Sequence, residues 1–315
     1  MQNGTMQSNF RKLFEDLKDV VESGDNIMGF LRSENGNGKD AGVTNALFAT
    51  LISYDRQAGT YVEGVRANPE GNELWSRQLA EKIQAVLVPG GTILELGVGE
   101  ATTLNGVMNH LGEIVDRAYG FDLSWSRLDV AQSWLHENGR VAGLFVAHLG
   151  AIPLEDNSVD VVYSSHSLEP NQGRESEIIS ECLRVARRAV VLAEPIYELA
   201  SAQARARMDH HGYVRGLHSV AKSFGYPVTG YGLFEYSSNP LNPSGFVIIE
   251  KNSASESRRD SSESKDLQFR CPLTGFSAHV KEDLIGVPEA GIVYPVLRGM
   301  PILLAENAII ASRAC

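Results

Sequence analysis

The stretch Thr92–Glu100 reads TILELGVGE: a short apolar run, an acid, then two glycines, Gly97 and Gly99, spaced Gly-x-Gly. This pattern predicts a buried parallel strand ending in a tight turn that feeds a helix. Glycines there let the backbone approach a ligand that side chains would block. A helical stretch follows, Ala101 to Leu111, and then a second strand, Ala118 to Phe121, which ends in Asp122. An acid at that point suits a pair of ribose hydroxyls, so the segment predicts a nucleoside-like cofactor held on a doubly wound sheet.

The elements that must position these residues are legible in the periodicity. Strands are expected at Thr92–Leu96, Ala118–Phe121, Ala142–Ala147, Val159–Ser164 and Ala189–Ala193, with helices over Ser124–Asn138 and Glu175–Ala186 between them. Apolar runs without alternation suit strands covered on both faces, hence a mainly parallel sheet. Two later strands, Thr229–Tyr236 and Gly245–Glu250, are separated by Asn239-Pro240-Leu241-Asn242-Pro243, a connection that suits an antiparallel edge. Upstream, Phe10, Leu13, Phe14, Leu17, Val20 and Val21 recur at helical spacing behind the caps Ser8 or Asn9. That amphipathic helix packs on its own domain or serves as a partner face, a homodimer contact in the sharper reading. Further helices are expected around Val43–Tyr54 and Asn72–Leu87.

Composition narrows the function classes. The chain has 315 residues, 43% hydrophobic and 21% charged, room for one large domain and a small one. A formal net charge of −11 argues against a general nucleic-acid binder, although Arg184, Arg187, Arg188, Arg205, Arg207 and Arg215 leave room for a local basic patch. No apolar run reaches the roughly 20 residues of a membrane span, and no basic-then-apolar signal pattern opens the sequence. Three scattered cysteines, Cys182, Cys271 and Cys315, suit a reduced, cytoplasmic setting.

In its order of motifs the stretch from about Tyr54 to Lys251 resembles the class I S-adenosylmethionine-dependent methyltransferases. ILELGVGE looks like the family's first motif and GFDLS carries Asp122 at the ribose-binding acid. IPLEDNSVDVVYSSHSLE resembles the run from the adenine-side loop through the fourth strand, and RVARRAVVLAEP the helix end and fifth strand. The resemblance implies a Rossmann-like α/β fold and S-adenosyl-L-methionine as cofactor. It implies contacts from Glu95, Gly97, Gly99, Asp122, Leu123, His148, Leu149 and Ser164, with Tyr61 in a lid-like segment that also holds Tyr54, Gln57, Gly59 and Trp75. Tyr61 and Trp75 could equally be core aromatics. Two departures stand out: His148 replaces the adenine-side acid, and Ala101 stands where many members have a third glycine. A dinucleotide cofactor is disfavoured, since Thr102 occupies the third-glycine place of G-x-G-x-x-G.

A sulfonium donor is already activated, so transfer requires an acceptor lone pair in line, and positioning carries most of the work. A general base helps where the acceptor is a hydroxyl. Candidates at the carboxyl ends of strands four and five are His166, Glu169, Glu194 and Tyr197. His166 is otherwise a hydrogen-bonded pocket residue and Glu169 a helix-start carboxylate. The insertion Arg205, Arg207, Met208, Asp209, His210, His211, Gly212, Tyr213 suits an anionic or sugar-like acceptor, or else is a solvated helix end. Adjacent His210 and His211 diverge on a helix with no third ligand spaced for zinc, so no metal is expected.

Lys251–Asp266, KNSASESRRDSSESKD, is Ser-rich and charged, and reads as a flexible linker. The expected organisation is thus a helical region at 1–53, the catalytic domain at 54–251, a linker at 252–266 and a small mostly-β domain at 267–315. This tail, with Cys271-Pro272 and YPVLRGMPILLAENA, resembles small zinc-ribbon-like proteins that activate methyltransferases of tRNA, rRNA and release factors. A lone Cys271 cannot build a four-ligand site, so no zinc is expected. A small-molecule or sugar acceptor is the expected substrate. The alternatives are tRNA, rRNA or a translation protein, and a non-catalytic cofactor-binding scaffold; SSHSLEP in place of Asn-Pro-Pro-Tyr lowers the amide- and adenine-amino readings.

Overall fold

The computed structural model describes residues 54–251 and 266–315, together with residues 19, 23, 51 and 52. The apolar face expected between Phe10 and Val21, with its dimer contact, and the linker up to residue 265 lie outside the described residues. The chain divides into two compact units, Met1–Ala58 and Gly59–Cys315, and the candidate chemistry falls within the second.

That unit opens with two helices, α1 (Thr60–Ala67) and α2 (Pro69–Gln84). Asn68 caps α2 by accepting from the Gly71 amide at 3.1 Å, and Pro69 takes the first helical position, where its missing N–H costs nothing. The chain then alternates: β1 (Gly91–Leu96), α3 (Thr102–Leu111), β2 (Val115–Asp122), α4 (Trp125–Glu137), β3 (Gly143–Val146), β4 (Val159–Ser165), α5 (Glu175–Val185) and β5 (Ala186–Pro195). Two helices, α6 (Ala202–His211) and α7 (Leu217–Ser223), precede β6 (Val228–Leu233) and β7 (Ser244–Glu250). The seven strands form one sheet in the order β3-β2-β1-β4-β5-β7-β6. The first five run parallel, and β7 pairs antiparallel with both β5 and β6.

This is the doubly wound Rossmann-like sheet with an antiparallel edge that the apolar runs predict. One face packs Leu94, Leu96, Val162 and Leu192 against α5 and α7; the other packs Ile93, Val161, Tyr163 and Val191 against α2, α3 and α4. The strand order reverses beside β1, with β2 on one side and β4 on the other, and such a switch point opens a crevice at the carboxyl edge. β5 starts three residues before its expected beginning. Arg187 and Arg188 hide that start in the sequence, because Arg187 pairs with Asp160 at 2.8 Å and Arg188 is buried. The region around Tyr61, expected only as a lid-like segment, is the regular helix α1.

The tail forms a second, antiparallel sheet. Its strands are β8 (Phe269–Arg270), β9 (Ser277–Lys281), β10 (Leu284–Val287), β11 (Ile292–Leu297), β12 (Met300–Pro301) and β13 (Ile309–Ile310). It packs on the open β3 edge of the main sheet. Val146 O accepts from the Leu303 amide at 2.9 Å, and Pro153 O from the Arg270 amide at 3.0 Å. Phe269 sets its ring edge-on to Phe145 with centroids 5.7 Å apart, and Phe145 stacks on Phe121. A cleft of about 310 Å³, lined among others by Tyr119, Phe145, Leu267 and Met300, lies along this seam rather than at the switch point. Cys271 is buried with its Sγ 3.2 Å from the Tyr294 hydroxyl. Among the described residues no group of His, Cys, Asp and Glu is arranged to hold a metal ion, and no helix is long and apolar enough to cross a membrane.

Because Phe269 is 8% exposed and plugs the seam, Phe269→Ala should cost about 3–5 kcal/mol. Chemical denaturation of the full chain would measure it, and a loss below about 1 kcal/mol would mean that the tail contributes little packing to the catalytic core.

Candidate active site

The turn after β1 is built from three left-handed residues: Gly97 at φ 58°, Gly99 at φ 53° and Ala101 at φ 56°. A side chain at Gly97 would be strained, and its Cβ would fall 2.5 Å from the Cβ of Ser167. The glycine turn therefore packs directly on the loop that leaves β4. Ala101 accepts the strain of a left-handed N-cap, so the turn survives without a third glycine. Asp122, half-buried at the end of β2, accepts from the Gly99 amide at 3.0 Å through Oδ2 and from the Ser124 amide at 2.9 Å through Oδ1. Burial raises its pKa, against the pull of the Ser124 amide and the Arg127 charge. An ionised carboxylate offers about four lone-pair sites, and the Gly99, Ser124 and Leu123 amides all draw on those of Asp122.

Glu95 lies on the other face of β1 from Leu94 and Leu96, where Tyr163 Oη donates to its Oε2 at 2.8 Å. Burial pushes the Glu95 pKa up to about 8, with Tyr163 pulling back. Ser164 is buried on β4, opposite Leu96 in register. Leu123 and Leu149 both pack partly buried against the apolar clusters that flank the sheet. His148 follows β3: its Nδ1 accepts from the Gly150 amide at 3.0 Å, and its Nε2 lies 3.2 Å from Arg174. Burial and the Arg174 charge lower its pKa, so His148 is a neutral group at the place of the expected acid.

Two residues that sequence reasoning passed over tie α1 to the glycine turn. Glu100, buried directly after the turn, accepts from the Gly59 amide at 3.0 Å and the Val62 amide at 2.7 Å, so its carboxylate satisfies the N-terminus of α1. The buried Arg127 guanidinium lies 3.8 Å from Glu100 and 4.3 Å from the centre of the exposed Tyr61 ring. Nothing local marked either residue: Glu100 meets partners 38 and 41 positions away.

At the end of β4, His166 takes a left-handed conformation (φ 56°) and its amide donates to Ala193 O at 3.0 Å. Its Nδ1 pairs with Glu169 Oε1, and its Nε2 lies 2.9 Å from Ser244 Oγ. The Trp75 ring packs 4.9 Å from the imidazole and its Nε1 donates to Ser165 Oγ. Glu169 also accepts from Asn242 Nδ2 at 3.1 Å. Burial works to lower the His166 pKa, but the Glu169 hydrogen bond and charge, with Glu194 adding to them, hold it above its ordinary value. Burial works the opposite way on Glu169, and His166, Tyr213 and Asn242 together hold its carboxyl below the usual range.

Glu194, fully buried at the end of β5, accepts through Oε1 from the Ser167 amide at 3.1 Å and the Leu168 amide at 3.2 Å. Burial pushes its pKa up to about 7; the His166 charge opposes the rise. Tyr197 turns away from this group, its hydroxyl donating to Asp209 at 3.3 Å under the Arg215 guanidinium. Tyr213 joins the cluster through Glu169 and stands 5.7 Å from Arg207. His210 is exposed at the end of α6, and its ring meets His211, which in turn approaches Tyr213 at 5.7 Å. The structure thus brings together Gly97, Gly99 and Asp122 as one group and His166, Glu169 and Tyr213 as another, with Gly97 against Ser167 as the link.

Residues 94–193, from β1 through β5, match a family described as a methyltransferase domain. The matched span contains the glycine turn, Asp122, His166 and Glu169. A comparison with curated proteins found no match. Among solved structures the chain is similar to an S-adenosylmethionine-dependent methyltransferase from Aquifex aeolicus, at 16% identity over 54% of this chain and 88% of that one, with a TM-score of 0.41. It is also similar to the magnesium protoporphyrin IX methyltransferase of Synechocystis PCC 6803, at 14% identity over 75% of this chain and 100% of that one, with a TM-score of 0.42. A methyltransferase from Methanosarcina mazei matches at 16% identity over 54% of this chain and 96% of that one, with a TM-score of 0.45. At such values the domain match is the comparison that bears on function.

The pairing of His166 with Glu169 has a direct readout. Replacing Glu169 by Gln removes the charge and the acceptor that favour imidazolium, so the His166 titration midpoint should fall. Histidine-selective NMR of Glu169→Gln checks this; an unchanged midpoint would remove Glu169 as the partner that tunes the imidazole.

Proposed function

We propose that the protein is an S-adenosylmethionine-dependent methyltransferase that acts on a hydroxyl of a small-molecule or sugar acceptor. The observation that carries this reading is the contact between the glycine turn and the β4 exit, which brings Asp122 and the His166–Glu169 pair to one sheet edge. The residues fit the cofactor. Gly97 and Gly99 keep the turn clear of side chains, Asp122 offers a carboxylate at the end of β2 that suits ribose hydroxyls, and His148, Leu149 and Leu123 suit an adenine that needs no charged partner. When bound, S-adenosylmethionine supplies an electrophilic methyl group.

The chain's own residues then have three tasks. Asp122 and the turn hold the donor, Glu100 and Arg127 hold α1 with Tyr61 beside the same edge, and His166 receives the acceptor's proton. Glu169 stabilises the imidazolium that results. A phenol or alcohol must lose a proton on methylation, whereas an amine already neutral in the site needs no such base before attack. For that reason the His–Glu pair favours a hydroxyl. His210, His211 and Tyr213, with Arg207, are proposed to meet the acceptor from α6.

Screening the purified chain with labelled cofactor against pools of hydroxylated small molecules, glycans and RNA tests the acceptor class; labelling confined to RNA would overturn it. Calorimetry of Asp122→Ala should show a loss of about 1.5–3 kcal/mol in cofactor affinity, roughly 10- to 150-fold. Equal affinity in wild type and variant would sink the ribose contact. His166→Asn should lower turnover by about 10²- to 10⁴-fold at nearly unchanged cofactor affinity.

A further inference from the structure

Both nitrogens of His166 are engaged, and this constrains how a proton can reach it. Nδ1 faces Glu169, and Nε2 lies 2.9 Å from the hydroxyl of Ser244, a residue 78 positions away at the start of β7. Ser244 is 3% exposed, and its Oγ also lies 3.2 Å from Asn242 O and 3.5 Å from Ser237 Oγ. The same Asn242 donates its side-chain amide to Glu169, so one short segment, Asn242 to Ser244, touches both members of the pair. The remaining neighbours of the imidazole are the Trp75 ring from α2 and the buried Glu194 carboxyl from β5. Tyr213 and Arg207 stand behind Glu169.

We infer that Ser244 is the third member of a hydrogen-bond relay, Glu169–His166–Ser244, through which the proton of the methyl acceptor reaches His166. The inference rests on the proposed methyltransferase reading of this site. A carboxylate on Nδ1 selects the tautomer protonated there, which leaves Nε2 as an acceptor and draws the single Ser244 proton to it at 2.9 Å in preference to Asn242 O at 3.2 Å. The acceptor's O–H bond then breaks as its proton bonds to Ser244 Oγ, while the proton of Ser244 passes to Nε2. Ser244 ends as it began, and one proton has moved from the acceptor to an imidazolium held by Glu169. Ser244 is thus a positioning and relay residue for His166, and its replacement should alter the titration of the imidazole as well as any rate.

Histidine-selective ¹⁵N NMR of the full chain tests this. Above the midpoint, Nε2 should be unprotonated and accepting a hydrogen bond. Ser244→Ala removes a donor to the neutral form, so the midpoint should rise by about half to one unit, the opposite direction from Glu169→Gln. Ser244→Thr, which keeps the hydroxyl, should return it to the wild-type value. A proton found on Nε2 in the neutral form overturns the relay, as does a midpoint that is unchanged or lowered in Ser244→Ala. Calorimetry on the same samples separates the two claims: a wild type that fails to bind S-adenosylmethionine overturns the methyltransferase reading, while the NMR result alone decides the relay.

Discussion

Much of this site depends on how the chain leaves β4. The backbone turns there through a left-handed residue that is not glycine, His166, at a cost of about 1–2 kcal/mol. What holds it is the buried end of β5: Ala193 O takes the His166 amide, and the Glu194 carboxyl takes the next two amides, of Ser167 and Leu168. Three hydrogen bonds to one adjacent strand outweigh the local strain, since each contributes about 1 kcal/mol net and more would be lost by leaving a buried amide unpaired. The loop so fixed does two things. It presses Ser167 against Gly97, which leaves no room for a side chain in the turn, and it aims the imidazole at Glu169 and Ser244. The glycine at position 97 and the geometry of the His–Glu pair are therefore two consequences of one constraint.

Parts of this were legible in the sequence because they are backbone requirements. Gly97 and Gly99 announce a turn that other residues cannot make, Asp122 follows at the end of the second strand, and unbroken apolar runs announce a covered parallel sheet. His166 and Glu169 could be named as candidates because both follow a strand end. Their pairing could not, because it requires a loop conformation that His166 adopts only under the hold of β5. Ser244, Asn242, Glu100 and Arg127 were invisible for a related reason. Each meets partners dozens of positions away, and a serine after Asn-Pro or a glutamate after a glycine turn has no local signature. The charged start of β5 was missed because Arg187 and Arg188 read as surface residues until their buried partners are seen.

The tail closes an edge that would otherwise be a liability. A parallel sheet ending in the short strand β3 presents unpaired backbone groups and an apolar rim at Phe145. Here the C-terminal sheet lends an amide to Val146, covers Phe145 with Phe269 and buries Met300 and Leu304 with the residues under α4. That arrangement binds the small sheet to the side of the domain away from the His–Glu pair. Its influence on chemistry is thus through the stability of β2 and β3, and so through the position of Asp122, rather than through a side chain in the acceptor site.

Three carboxyls at the same sheet edge also show why charge counted from the sequence is a poor guide to chemistry. Glu95 is buried against a tyrosine hydroxyl and is mostly protonated at neutral pH, with a pKa pushed up to about 8. Glu194, clasping two amides, sits near 7 and is divided between its two forms. Glu169 hydrogen-bonds the His166 imidazole, which holds it ionised, whereas the same charge only moderates the rise at Glu194. Burial alone would have neutralised all three, because a desolvated charge without a partner is costly. The pairing keeps a negative charge on the carboxyl that faces the His166 imidazole. Burial leaves Glu194 and Glu95 at least partly protonated, so less of either is present as a base. In the proposed transfer, a proton leaving the acceptor would be taken up at His166, with the Ser244 hydroxyl on its path.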